Sequence, residues 1–306
     1  MTVAVLAAAV AASLTAGCTT GGEPADDGRG TPDTGASVLA VKIDNAPAAR
    51  PHTGLDAADV VYVEPVEGGL SRLMAVYATK FPEAVGPVRS ARESDLELLG
   101  QFRRPTLAYS GAQSGLKPLI AAAPLRAAPP DVEGDGYFRD PGRPAPHNLY
   151  VRPGRLLNSP PGEDALTTGY HYGSAPSGGR AAHTYTVRYP AARFTFTWSE
   201  YRGRWLVSTD GSATTPKGSP APSTVVVQYV KVRESAFGDF RGNNSPYTET
   251  VGSGRATVLR DGRAHDVAWK RPSRTSGTSF TRADGSAVNF AEGQVWVVFA
   301  KSPYGG

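Results

Sequence analysis

Residues 84–95 read AVGPVRSARESD, a short apolar stretch that runs into the start of a helix. Ser90 is followed three residues later by Glu93, the spacing of a capping box, in which each side chain bonds the other residue's backbone N–H. The apolar residues that follow recur at helical spacing: Leu96, Leu99 and Phe102. The pattern predicts a short strand, then a helix over residues 91–103 with Ser90 as its N-cap.

Arg89 and Arg92 lie at the amino end of this predicted helix. The helix macrodipole favours anions there by roughly 0.3–1 kcal/mol, so two cations are misplaced unless a negative group accompanies them. Backbone N–H groups and guanidinium groups are good donors to phosphate and carboxylate. The junction therefore predicts an anion site.

The first 17 residues are apolar and rich in alanine, and they end in Leu14-Thr15-Ala16-Gly17 before Cys18. This run is shorter than the roughly 20 apolar residues that a transmembrane helix needs. It predicts a lipoprotein signal peptide and lipobox over residues 1–18, with Cys18 lipidated and the chain anchored at the extracytoplasmic face of the cell membrane. Cys18 is the one cysteine of the sequence, so no internal disulfide can form. Residues 19–37 are Gly, Asp, Thr and Pro with little apolar content, which predicts a flexible tether.

The next part of the chain mixes strand and helix patterns. Predicted strands cover residues 38–43, 59–66, 70–78 and 106–109, and a short predicted helix covers residues 116–123. The two strands on either side of Glu67-Gly68-Gly69 are expected to form a hairpin. Extended Pro- and Gly-rich loops are expected after residue 127.

From residue 180 onward the pattern is almost entirely that of strands. Asp-Gly pairs separate several of them, at residues 210–211, 261–262 and 284–285, and such pairs are typical of hairpin turns. We therefore predict an α+β protein with two domains. A mixed α/β N-terminal domain spans residues 38–166, a linker residues 167–179, and a mostly antiparallel, β-rich C-terminal domain residues 180–303.

Charge is distributed unevenly over a chain whose formal net charge is +4. Up to residue 179 there are 15 basic and 19 acidic residues, and from residue 180 there are 17 basic and 9 acidic ones. In the compartment that the lipobox predicts, a basic second half favours anionic envelope partners: lipid headgroups, wall polymers or the acidic first half. No nucleic-acid partner is expected there.

Several short motifs, in the same order along the chain, resemble the YerB-like bacterial lipoproteins. They are Val41-Lys42-Ile43-Asp44-Asn45, Ala58-Asp59-Val60-Val61-Tyr62, Val66-Glu67-Gly68-Gly69-Leu70, residues 85–92, Ala145-Pro146-His147-Asn148 and Gly293-Gln294-Val295-Trp296. The resemblance covers roughly residues 38–303 and implies a lipoprotein with two domains of unknown function. A looser similarity, carried by Asp44, Arg50, Asp59 and Arg89, links the first half to the LytR-CpsA-Psr enzymes. That similarity implies the transfer of glycopolymers from lipid pyrophosphate carriers to the cell wall.

Charged residues at the predicted strand ends are the candidate site residues. The candidate catalytic residues are Asp44, Glu67 and His147, and the candidate ligand-binding residues are Arg72, Arg89, Arg92, Arg50, Ser90 and Asn45. Guanidinium groups suit a pyrophosphate or a sugar carboxylate, and a carboxylate suits a general base. The alternative is a structural ion network, in which Asp44, Glu64 and Glu67 pair with the arginines.

The sequence leaves the cofactor and the type of activity open. No P-loop, dinucleotide or zinc motif is present, and no metal site is predicted, although carboxylates could hold a divalent cation. One hypothesis is a non-enzymatic lipoprotein that binds an anionic envelope ligand or partner protein through the arginines. The other is a transferase or hydrolase that acts on phosphate-linked wall glycopolymers or their lipid-linked precursors. An enzyme would need a concave pocket with a carboxylate free of the arginines.

Overall fold

A computed structural model of the chain describes Met1 and residues 37–213, 220–238 and 242–302. Apart from Met1, the predicted signal peptide lies outside the described residues, as do Cys18 and nearly all of the predicted tether. Within the described part of the chain, no helix has the length and apolar character needed to cross a membrane.

The chain is strand-rich, and its helices are short. The strands are β1 Leu39–Asp44, β2 Val60–Pro65, β3 Ser71–Tyr77, β4 Thr106–Ala108, β5 Arg126–Ala128, β6 Tyr137–Arg139, β7 Leu149–Val151, β8 His171–Tyr172, β9 Arg180–Ala181, β10 Thr184–Tyr189, β11 Ala192–Ser199, β12 Arg204–Thr209, β13 Ser212–Ala213, β14 Thr224–Val230, β15 Val232–Gly238, β16 Asn244–Thr248, β17 Gly252–Arg260, β18 Arg263–Arg271, β19 Ser279–Thr281, β20 Asn289–Phe290 and β21 Val295–Lys301. The α-helices are α1 Glu93–Leu99, α2 Lys117–Ala122, α3 Pro130–Glu133 and α4 Pro153–Leu156.

One large sheet contains strands from both halves of the chain. Its hydrogen-bonded order is β19–β18–β17–β14–β21–β2–β3–β1–β4–β5, and β9 also pairs with β18. The two halves meet where β2 and β21 run parallel, with Val60 opposite Val295. A second sheet consists of β10, β11, β12 and β13 in chain order, and its strands are antiparallel.

Both faces of the large sheet are buried. Successive side chains of a strand point to opposite faces, and apolar residues occupy both positions in the central strands. One face packs against the four-stranded sheet, where Phe194, Phe196 and Trp205 are fully buried. The other face packs against the helices, through Leu96 and Leu99 of α1 and Ile120 of α2. The core therefore lies in two layers, one on each side of the large sheet.

The predicted β2–β3 hairpin and the predicted hairpin turns at Asp210 and Asp261 are confirmed, whereas the turn at Asp284 is flanked only by an isolated bridge between Thr281 and Ala287. β2 and β3 pair antiparallel around Glu67–Gly69. Asp210 and Asp261 have φ of 55° and 50°, and the glycines that follow them also have positive φ. Consecutive positive φ values match the twist of two-residue hairpin turns.

The helix after residue 90 differs from its prediction in both length and cap. It covers Glu93–Leu99 rather than residues 91–103, and its N-cap is Arg92 rather than Ser90. The side chain of Asp95 accepts the Arg92 backbone N–H at 2.7 Å. At the other end of the helix, the buried Arg271 guanidinium, from β18, donates to the carbonyl oxygen of Glu97 at 2.9 Å. This bond supplies a partner for a carbonyl group that has none within the helix.

The predicted strand before this helix is also wrong in detail. Residues 85–88 form isolated bridges, Val85 with Val151, Gly86 with Thr53 and Val88 with Ile43.

Residues 167–179, predicted as a linker, contain β8, which pairs with β20. The domain boundaries stay a prediction, since strands from both segments are hydrogen-bonded in the large sheet.

Candidate functional site

The candidate site lies at one end of β1 and β3, where the alternation of the strands places charged side chains on a single face. Asp44, the last residue of β1, is opposite Arg72 on β3. Arg72 is also opposite Glu64 on β2. Glu67 lies in the short turn that joins β2 to β3. The segment before α1 then brings Arg89 and Arg92 alongside, because the Arg89 backbone N–H bonds the carbonyl oxygen of Lys42 at 2.8 Å.

Most of these charged residues line one cleft of about 1020 Å³. Seven of the nine candidate residues contribute to its wall: Asp44, Glu67, Arg72, Arg89, Ser90, Arg92 and His147. Residues from β15 and the loop after it, Gly238 and Asn243, close the cleft on the side of the second half. We call it the arginine cleft.

Glu67 is held by the guanidinium of Arg92 in a two-point ion pair. Arg92 Nε and Nη2 donate to the two carboxylate oxygens at 2.6 and 2.9 Å. The hydroxyl of Ser245 also donates to Glu67, and Arg72 Nη2 lies 3.9 Å from it. Burial alone would raise the pKa of Glu67, but the hydrogen bonds from Arg92 and Ser245 lower it below its usual value. Glu67 is therefore ionised and fully engaged.

Asp44 is engaged on both of its oxygens. Oδ1 accepts the backbone N–H of Ala46 at 3.1 Å. Oδ2 lies 2.8 Å from His147 Nδ1 and 3.3 Å from Arg89 Nε. Burial would raise the pKa of Asp44, but the Ala46 hydrogen bond, the Arg89 charge and His147 together lower it.

The three arginines differ in how many of their N–H donors already bond to other protein groups. Arg92 is used by Glu67 and by the carbonyl oxygen of Ala91. Arg72 is almost buried and donates to the carbonyl oxygen of Ser90 at 3.1 Å, and its burial lowers its pKa to about 10. Arg89 is a quarter exposed. Among the described residues, its Nη atoms have no hydrogen-bond partner, so Arg89 has the most donors to offer a ligand.

Two candidate residues lie beside the arginine cleft rather than in its wall. Arg50 donates to the side chain and the backbone carbonyl of Asn45, at 3.1 and 2.6 Å, and forms an ion pair with Asp210 at 2.7 Å. Asn45 in turn donates to Ser71 Oγ at 2.8 Å. Both side chains are thus occupied by neighbouring residues, and their ligand-binding role stays a prediction. No group of three or more potential His, Cys, Asp or Glu metal ligands occurs within the described residues.

A buried charge cluster behind the cleft was not predicted. Lys42 Nζ bonds the carboxylates of Glu64 and Asp95, and all three side chains are at most 1% exposed. Asp95 also caps the Arg92 backbone N–H, which links the cluster to the wall of the cleft. A lysine inside the apolar strand VLAVKID was the available signal, because a buried lysine needs a carboxylate partner.

Comparisons with known proteins place this architecture in a family. Residues 21–165 match the family model "Protein of unknown function (DUF3048) N-terminal domain", and residues 185–297 match its C-terminal domain. The chain is 24% identical over 273 residues to "Putative lipoprotein YerB" of Bacillus subtilis (strain 168), covering 85% of this chain and 80% of that protein. The crystal structure of YerB from Bacillus subtilis superposes with a TM-score of 0.72 at 21% identity, over 87% of this chain and 91% of that one. The shared fold and both domain matches confirm the resemblance seen in the sequence, and the chain belongs to the DUF3048 family of YerB-like proteins.

Proposed function

We propose that this chain is a membrane-anchored extracytoplasmic lipoprotein that binds an anionic cell-envelope ligand in the arginine cleft. The anchor is supported by the lipobox at Cys18 and by the name of the similar Bacillus subtilis protein, a putative lipoprotein. If Cys18 carries the anchor, Cys18→Ala will move the chain from the membrane fraction to the soluble fraction. Equal membrane retention of both proteins would contradict this assignment.

The main support for anion binding is an excess of positive charge in the wall of the cleft. Three guanidinium groups, Arg72, Arg89 and Arg92, face two carboxylates, Asp44 and Glu67. Arg89 keeps donors available, and guanidinium groups bind phosphate and carboxylate through paired hydrogen bonds. Phosphate and sugar-carboxylate groups are the anions that this chemistry fits.

The state of the two carboxylates favours binding over catalysis. A general base needs a lone pair within reach of a substrate proton. Glu67 is held by Arg92 and Ser245, and Asp44 by Ala46, Arg89 and His147. Neither carboxylate has the freedom that an acid–base role requires.

One contact nevertheless supports an enzyme as the second candidate. Asp44 Oδ2 lies 2.8 Å from His147 Nδ1, and His147 is one-fifth exposed in the wall of the cleft. An aspartate at this position fixes a histidine tautomer, which leaves Nε2 to exchange a proton with a substrate. Under this alternative, the arginines hold a phosphate-linked glycopolymer or lipid-linked precursor while His147 acts as the base.

The deciding experiment compares two arginine variants. Binding of pyrophosphate and glycerol phosphate to the purified full-length chain is measured by calorimetry, with and without Mg²⁺. Arg89→Ala should weaken binding roughly 10- to 100-fold, the usual effect of losing a charge-assisted hydrogen bond. Arg155→Ala is the matched control, because Arg155 is 64% exposed and does not line the cleft.

Two outcomes would count against these assignments. If no anion binds, or if both arginine variants bind as tightly as the native chain, the arginine cleft is a structural ion network. Turnover of a phosphodiester that disappears in His147→Gln, while anion binding persists, would favour the enzymatic candidate. An absence of turnover in the native chain would remove support for it.

A further inference from the structure

A second cavity adjoins the arginine cleft and differs from it in chemistry. It has a volume of about 540 Å³ and lies between β10, β14 and the end of β21. Apolar and aromatic side chains form most of its wall, among them Val187, Tyr189, Val227, Tyr229 and Ala300. Cavities of this size and lining commonly hold small apolar ligands.

The tyrosine hydroxyls of this cavity already have partners. Tyr189 donates to the carbonyl oxygen of Phe299 at 2.8 Å. The hydroxyl oxygens of Tyr185 and Tyr229 lie 3.3 Å apart. Because these polar atoms bond one another or the backbone, the rings are left to contact a ligand through carbon, which suits a hydrocarbon.

The two cavities share a wall. Val66, Glu67 and Gly68, in and before the turn between β2 and β3, line both of them. Gly68 has φ of 68°, and a Cβ atom there would meet nothing within 4 Å, so the space around this residue is open. An anion-binding wall and an apolar wall are therefore separated by a single turn.

We propose that the second cavity takes the hydrocarbon chain of a phosphorylated amphiphile whose headgroup lies in the arginine cleft. This inference rests on the proposed function, since it assigns the ligand class of the same site. Neither cavity alone points to an amphiphile, but their juxtaposition does, because one ligand can then use both. Arg188 and Lys301 are exposed basic residues that also line the apolar cavity, and their charges add to the attraction for an anion.

The test uses a series of ligands on the full-length chain. Affinities for methyl phosphate, hexyl phosphate and the neutral hexyl glucoside are measured by calorimetry below their micelle concentrations. A methylene transferred from water to an apolar site strengthens binding about fourfold. We expect hexyl phosphate to bind at least tenfold more tightly than methyl phosphate and more tightly than hexyl glucoside.

A matched pair of variants locates the effect. Val232 is half-buried in the wall of the apolar cavity, and Val232→Gln should reduce the gain from the longer chain. Val132→Gln makes the same change at a residue that is 67% exposed and lines neither cavity, so it should leave the gain intact.

The outcomes separate this inference from the proposed function. Equal binding of methyl and hexyl phosphate would overturn the amphiphile and leave anion binding standing. Binding of neither phosphate would overturn both. Tighter binding of hexyl glucoside than of hexyl phosphate would show an apolar site that does not depend on the arginines, and would also overturn the inference. If Val232→Gln fails to fold, the ligand series on the native chain still decides whether an amphiphile binds.

Discussion

The buried charge cluster of Lys42, Glu64 and Asp95 places one ammonium group against two carboxylates. If all three were ionised, the cluster would carry an uncompensated negative charge away from water, which is costly. Burial accordingly raises the pKa of Glu64, from a usual 4.5 to about 7. The pKa of Lys42 is raised as well, since its attraction to Asp95 and Glu64 outweighs its burial. At acidic pH we therefore expect Glu64 to be protonated and Lys42 charged.

This titration predicts a pH dependence of stability. Between pH 4.5 and about 7 the folded chain holds a proton on Glu64 that the unfolded chain has released. The free energy of unfolding should therefore fall as pH rises through this window, by up to roughly 3 kcal/mol. Urea denaturation of the native chain and of Glu64→Gln at several pH values measures it. The variant cannot titrate at this position and should lack this part of the slope; identical slopes would refute the assignment.

At the scale of elements, α1 is held in place by the second half of the chain through Glu97. Its carboxylate accepts the backbone N–H groups of Thr250 and Val251, at 2.7 and 3.1 Å. It also accepts the hydroxyls of Thr250 and Tyr247, each at 2.9 Å. The helix is only seven residues long, too short to be stable alone, so its position beside the arginine cleft depends on such contacts.

Removal of the Glu97 carboxylate should therefore destabilise the fold. Glu97→Ala leaves the backbone N–H groups of buried Thr250 and half-buried Val251 without acceptors, which we expect to cost about 2–4 kcal/mol of unfolding free energy. Glu83→Ala, an exposed site, provides the control and should change stability by less than about 0.5 kcal/mol. Chemical denaturation measures both variants. If Glu97→Ala lowers the free energy of unfolding no more than Glu83→Ala does, the position of α1 does not depend on the Glu97 contacts.

Two glycines with the same backbone φ allow the cost of backbone strain to be distinguished from the cost of a steric clash when each is replaced by alanine. Gly68 and Gly262 both have φ of 68°. A Cβ at Gly68 would meet nothing within 4 Å, whereas one at Gly262 would lie 2.9 Å from the Trp198 ring. Gly68→Ala should cost about 1 kcal/mol from the left-handed conformation alone, and Gly262→Ala clearly more. Thermal or urea denaturation compares them, and equal costs would mean that Trp198 moves aside freely.

These elements also show which parts of the fold local sequence can predict. The Glu67-Gly68-Gly69 turn predicted the β2–β3 hairpin, and Asp-Gly pairs predicted the turns at Asp210 and Asp261, because such features act within a few residues. The length of α1 was overestimated, since its end is set by Arg271 from a distant strand. The charged residues of the site were predicted, and the alternative of an ion network anticipated the pairing of Asp44 and Glu67 with arginines, but not the pairing of Glu64 with Lys42. Ser245 on Glu67 and His147 on Asp44 come from remote segments, and no local pattern encodes such pairing.

At the scale of the whole molecule, the large sheet joins the two halves of the chain. Strand β21, close to the C-terminus, lies between β2 and β14 and is parallel to both. If the first half were excised, β21 would lose a partner along Val295–Val298, and the excised half would expose the edge of β2. The sequence boundaries of two domains thus do not imply two independently stable units, and we expect residues 37–302 to unfold cooperatively.

The positions of the tryptophans make this expectation testable. All four lie after residue 180, so their fluorescence reports the second half, while far-UV circular dichroism reports the whole chain. Leu73→Ala removes a fully buried side chain from β3 in the first half and should cost about 2–5 kcal/mol. With one cooperative unit, the urea midpoint measured by fluorescence should fall together with the midpoint measured by circular dichroism. Leu119→Ala, at a site 44% exposed, is the matched control and should move neither midpoint appreciably. A fluorescence midpoint that stays at the native value in Leu73→Ala, while circular dichroism splits into two steps, would show that the halves unfold separately despite their shared sheet.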